Sequence, residues 1–163
     1  MTALTLARLM ARHRRVVLVD LAFSSPMVAA SSLDPGAPGL AELARGESAF
    51  GDIITRDRLS PLHLVAAGHR ADDTVLRSPR LGMVLDALTK VYDHVIIDAG
   101  ALTELPADRL GGQVCAVLVT DAAWSDALRT AARAQLADAG FEQVTILEAE
   151  SPAWNEGARS AAA

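Results

Sequence analysis

The chain has 163 residues, 51% of them hydrophobic, with a net charge of -5 and a pI near 5.3. This suits one domain with a sizeable core. It excludes a global basic field, and with the arginines scattered no nucleic-acid partner is predicted.

The opening segment MTALTLARLMARHRR carries its charges after its apolar part, so it reads as an amphipathic helix over 2–13 rather than a signal peptide. The basic cluster Arg12, His13, Arg14, Arg15 then suits the end of that helix, where cations complement the dipole. Residues 15–20 form a continuous apolar strand ending in Asp20, and 21–38 read as a long loop with one turn of helix. A short helix over 39–46 closes at Gly46, and Ala49 to Thr55 is read as another short helix. LHLVAAG (62–68) is a strand ending in Gly68. Ser78-Pro79 opens a helix to about Tyr92, with serine as cap and proline in the first turn. DHVIID (93–98) is a strand, Asp108 to Gly112 a helix end and turn, and QVCAVLVT (113–120) a further strand. Ser125 to Ala139 is a helix ended by Gly140, and QVTILEA (143–149) is the last strand. The domain is expected over 1–149, with 150–163 a flexible tail.

The lone cysteine, Cys115, is expected as a small core residue; one cysteine excludes an intrachain disulfide and fits a reducing compartment. No apolar run reaches the roughly 18 residues of a membrane span. A cytoplasmic chain is therefore expected.

Helices alternating with unbroken Val/Ile/Leu strands predict an α/β fold with a mostly parallel sheet covered on both faces. Ligands of such sheets bind beyond the carboxyl ends of the strands, where Asp20, Gly68, Asp98 and Thr120 with Asp121 fall. A strand-tip carboxylate can hold Mg²⁺ or orient an attacking water, and two such tips suit a nucleotide-triphosphate site. A receiver domain fits less well, because Asp20 and Asp98 lie far apart with a strand between and the acidic pair is absent. There is no G-x-G-x-x-G for a dinucleotide and no G-x-S-x-G elbow. His13, His63, His69 and His94 lack metal-ligand spacing.

The ordered set TLARLMARHRRVVLVDLAFSSP, PGLAELARGESAFGDII, LHLVAAG and LRSPRLGMVLDALTKVYDHVIID resembles the cytoplasmic P-loop domain of bacterial tyrosine kinases and polysaccharide co-polymerases. That domain lies in the deviant P-loop group with the partitioning and septum-placement ATPases. The resemblance spans roughly residues 1–147. It implies a P-loop-NTPase-like, Rossmann-like sheet, ATP and Mg²⁺ as cofactors, and Asp20, Asp98 and Gly100 at the nucleotide site. In this reading Asp98 is the water-orienting or Mg²⁺-linked residue and Asp20 the carboxylate of the deviant strand.

Several positions depart from the family pattern. The phosphate loop, G-x-x-x-x-G-K-[ST], falls before Met1 in the alignment, as does the strand leading into it. That strand is central in this fold, so a gap in the sheet and an exposed edge are expected. The second carboxylate of the deviant strand falls on Ala22 and its arginine on Ser24, and Ala99-Gly100-Ala101 replaces a TPP segment. The asparagine after the last strand falls near Glu148. Lys90 is the only lysine and Tyr92 the only tyrosine, so a tyrosine-rich tail for autophosphorylation is missing.

The resemblance with these departures implies a degenerate, non-catalytic kinase-like domain. Its context would be exopolysaccharide or capsule biosynthesis and export, in chain-length regulation. Its partner would be a membrane-bound chain-length determinant protein or domain, which would hold it at the inner face of the membrane, and a homo-oligomer is an open expectation. The alternative is an active partitioning- or pilus-assembly-type ATPase whose phosphate loop lies upstream. A binding module without nucleotide is the third reading.

Overall fold

The computed structural model describes residues 2–23, 26–69, 71, 73–102, 110 and 115–149. It divides into two compact units, Met1–Arg109 and Leu110–Ala163. The fold is mixed α/β with a mostly parallel sheet, as the alternating pattern predicts.

The first unit holds a four-stranded sheet in the order β2-β3-β1-β4. Its strands are β1 (Val16–Asp20), β2 (Ile54–Arg56), β3 (His63–Val65) and β4 (His94–Asp98). β1 runs parallel to both its neighbours, with Leu18 opposite Leu64 on one side and Ile96 on the other. All five of its residues are buried, which is why they read as an unbroken apolar run.

Helix α1 (Thr2–Ala11) buries Leu4, Ala7 and Ala11, one stripe at helical spacing. These pack with Val16, Leu18, Val28, Leu62 and Leu64, and the two alanines let the helix axis approach the sheet closely. Arg8, one position beyond Ala7, reaches from α1 to Asp57 with two hydrogen bonds, Nε at 3.0 Å and Nη2 at 2.7 Å. The Asp57 side chain is fully buried. Burial alone would raise its pKa, but bonds from Arg8 and Ser60 outweigh this and hold the carboxyl below its usual range.

Short helices α2 (Met27–Ser31), α3 (Leu40–Arg45) and α4 (Asp73–Arg77) precede the longer α5 (Pro79–Val91). Ser78 caps α5 by accepting a bond from the Arg80 amide at 3.3 Å. Gly46 ends α3 with a φ of 79°. Ala49 to Thr55 does not form the expected helix: a turn over 50–53 leads into β2, antiparallel to β3. Asp52 Oδ2 accepts from the Ala49 amide and holds the turn, and the β-branched run Ile53-Ile54-Thr55 favours the extended form. Ile53 is fully buried.

The second unit pairs β5 (Cys115–Thr120) in parallel with β6 (Gln143–Glu148) through α6 (Asp126–Asp138). Ser125 caps α6 by accepting from the Leu128 amide, and Gly140, with a φ of 94°, follows its end. Along β5, Leu118 and Thr120 are buried while Cys115, Val117 and Val119 are exposed. Cys115 is therefore not the core residue expected, because its place in the two-residue alternation puts it on the open face of β5. The readings over Asp108 to Gly112 and the 150–163 tail lie largely or wholly outside the described residues. No described helix is long and apolar enough to cross a membrane.

Candidate functional site: two strand-tip carboxylates

β1 and β4 end level, so Asp20 and Asp98 are register partners. The Leu21 amide donates to the Asp98 carbonyl at 2.8 Å and continues the ladder one residue past the tips. The two predicted site aspartates are thus brought side by side at the carboxyl edge of the sheet.

Their surroundings differ. β1 is an interior strand, and Asp20 is only 3% exposed. Its Oδ1 accepts from the Ala22 amide at 3.0 Å, and the Ala67 amide also bonds to its carboxylate. Burial pushes the Asp20 carboxyl up to about 6, the charge of Asp98 pushes the same way, and the two amide bonds only partly offset them. Asp98 is half-buried, and its Oδ1 accepts from the Gly100 amide at 3.2 Å. Gly100 adopts a φ of 70°, a left-handed conformation that glycine enters without steric cost.

A third carboxylate, absent from the sequence-based set, organises the loop after β3. Glu42 lies in the first turn of α3 and accepts from the Gly39 amide at 2.8 Å, the His69 amide at 3.0 Å and Arg45 Nη2 at 2.9 Å. It ties α3 to the segment that carries Ala67. Gly39 and Gly68 make this possible: a Cβ on Gly39 would lie 2.4 Å from the Ala66 carbonyl, and Gly68 has a φ of 92°. The signal available in the sequence was the G-x-x-E spacing of Gly39 and Glu42, half of a capping box.

Of the other strand-end residues, Gly68 belongs to this loop. Thr120 and Asp121 lie in the second unit, where Thr120 is buried and Asp121 accepts from the Ala123 amide.

The bonds described for Asp20 and Asp98 come from backbone amides, not from lysine or arginine. No group of three or more His, Cys, Asp or Glu side chains that could hold a metal occurs among the described residues. Two level carboxylates suit a hydrated Mg²⁺ held mainly through Asp98. By themselves they would repel a triphosphate, whose negative charge needs a bridging Mg²⁺ or cationic and amide donors. Lys90 lies in the last turn of α5, before β4 begins, whereas Asp98 closes β4, roughly 13 Å beyond the start of the strand.

No protein-family model and no curated protein matches the chain. Solved structures do. The BceF tyrosine kinase domain is 29% identical with a TM-score of 0.68, over 88% of this chain and 61% of that one. The kinase domain of the Escherichia coli tyrosine kinase Etk is 18% identical with a TM-score of 0.77, over 93% and 62%. The septum site-determining protein MinD of Pyrococcus horikoshii, complexed with Mg-ADP, is 22% identical with a TM-score of 0.60, over 89% and 60%. The chain thus spans about three fifths of the length of these proteins. Its fold is the one shared by bacterial tyrosine kinase domains and MinD-type ATPases.

Proposed function

We propose, from the deviant P-loop fold that this chain shares with bacterial tyrosine kinase domains and MinD-type ATPases, that it is a kinase-like domain that does not itself catalyse phosphoryl transfer. It acts in exopolysaccharide or capsule export, in chain-length regulation, through a membrane-bound chain-length determinant partner.

The observation that carries the non-catalytic part is the makeup of the strand-tip pair. Asp20 is sealed by backbone amides and pushed towards the neutral form, and no described basic side chain bonds to either carboxylate. Asp98 keeps the geometry to bind a hydrated cation or a water, with Asp20 shaping the strand end beside it. The only tyrosine, Tyr92, shares a hydrogen bond with His63 Nδ1 and is half-buried, so it is a poor target for autophosphorylation.

Titration calorimetry of the 163-residue chain with ATP and Mg²⁺ tests this. No heat of binding is expected up to about 1 mM nucleotide, which corresponds to a binding free energy weaker than about 4 kcal/mol. Micromolar, Mg²⁺-dependent binding that Asp98→Asn abolishes would refute the non-catalytic reading and favour a partitioning-type ATPase. Pull-down with the cytoplasmic part of a chain-length determinant protein tests the partner.

A further inference from the structure

Helices α3 and α5 of the first unit part over a groove of about 510 Å³. Its apolar lining is Leu43 of α3, Phe50 of the following turn, and Met83, Val84 and Ala87 of α5. Val84 is buried, Leu43, Phe50 and Ala87 are half-buried, and Met83 is 62% exposed. Positions 80, 84, 87 and 91 follow helical spacing, so one stripe of α5 carries Arg80, Val84, Ala87 and the exposed Val91 over roughly 16 Å. No residue of the strand tips lines this groove.

The stripe begins with a cation that is held in place but not neutralised. Arg80 Nη1 donates to the Leu43 carbonyl at 2.9 Å, in the last turn of α3. Gly46 makes room for this pose, since a Cβ there would lie 2.7 Å from Nη1. Among the described residues no carboxylate pairs with Arg80, and its Nε and Nη2 make no hydrogen bond. The acids of the adjoining segment are already engaged, because Arg45 holds both Glu42 and Glu47. Ser48, a neutral hydroxyl, also lines the groove.

We propose that this groove binds an amphipathic anion, an unbranched aliphatic chain with an anionic head group. The head pairs with Arg80, and the chain lies over Met83, Val84 and Ala87 towards Val91. The charge pattern selects this class. A long apolar stripe with one immobilised, unpaired guanidinium at its start complements a molecule that is apolar along its length and anionic at one end. A plain hydrocarbon would leave Arg80 unpaired, and a cationic head would be repelled. The volume lies within the range of small-molecule sites, which join apolar walls to a few placed polar groups. Met83, unbranched and exposed, can adapt to a chain. The proposal stands apart from the strand-tip carboxylates and does not rest on their chemistry.

Titration calorimetry of the full chain with sodium decanoate tests the proposal. Saturable binding with a Kd below about 1 mM is expected. Octanoate should bind about four- to tenfold more weakly, since two methylenes leave the groove. Decyltrimethylammonium, the same tail with a cationic head, should bind at least about tenfold more weakly than decanoate. Arg80→Met should weaken decanoate about tenfold without weakening decyltrimethylammonium. Met83→Asp sets a carboxylate at the groove and should abolish decanoate binding. Met83 is largely exposed, so that variant decides the matter even if Arg80→Met loosens α3. No saturable binding at about 1 mM decanoate overturns the proposal. So does decyltrimethylammonium binding as tightly as decanoate, or a decanoate affinity that changes less than about twofold in both variants.

Discussion

Replacing Asp20 with asparagine should stabilise the protein more at neutral than at acid pH. The folded carboxyl titrates at about 6 against an ordinary value of 3.8, with burial the main cause. The folded state therefore binds more protons than the unfolded state between these values, and this contribution to stability falls as pH rises through them. At 1.36 kcal/mol per pH unit the full span is about 3 kcal/mol. About 2 kcal/mol of it lies between pH 4.5 and 7.5, because part is already lost at the lower value. Asparagine retains an oxygen for the Ala22 and Ala67 amides but carries no charge. The difference in unfolding free energy between Asp20→Asn and the parent should thus grow by about 2 kcal/mol from pH 4.5 to 7.5. Urea denaturation at the two pH values measures it, and taking a difference of differences cancels every other titrating group. A gap that stays constant to within about 0.5 kcal/mol would show that Asp20 remains ionised in the fold, and the description of a sealed carboxylate beside Asp98 would be wrong.

Other perturbations probe the framework around the pair. Arg8→Met should cost about 3–5 kcal/mol at pH 7 by leaving the buried Asp57 carboxylate without its cation. The loss should shrink towards pH 3, because the stabilisation from a depressed carboxyl is present above its unfolded pKa and disappears as pH falls through the folded one; chemical denaturation at both pH values reads it. Gly39→Ala should cost about 1–3 kcal/mol or more, because its methyl would meet the Ala66 carbonyl and the Gly68 backbone, and a lowered urea midpoint would report it. Ser78→Ala should cost about 1 kcal/mol through the lost cap of α5, with thermal unfolding as the measure.

Much of the fold was legible because burial on both faces leaves a simple trace. β1, all five residues buried, reads as VVLVD, and the parallel arrangement follows from such runs alternating with helices. Capping residues marked α5 and α6 almost to the residue, through Ser78-Pro79, Ser125 and Gly140. β2 escaped notice because it is three residues long and its pairing with β3 is a tertiary fact; read alone, AFGDIIT is equally compatible with a helical turn. α4, also short, left no cap or periodic pattern strong enough to see. Cys115 was misjudged because a continuous apolar run does not say which of its alternating faces is covered.

The site was legible as two aspartates at strand ends, but the difference between them was not. That difference comes from strand order. β1 lies between β3 and β4, so the carboxylate at its tip is bracketed by neighbouring backbone, and the Ala67 amide can reach it only because β3 sits next door. Among the described residues β4 pairs with a strand on one side, β1, and Asp98 is only half-buried. Identical chemistry at two adjacent tips thereby separates into a carboxylate that holds the loops in place and one more open to a cation or a water. The same asymmetry makes Asp98 sensitive to whatever pairs with β4. Any strand added at that edge would move Asp98 towards the interior position that Asp20 now holds.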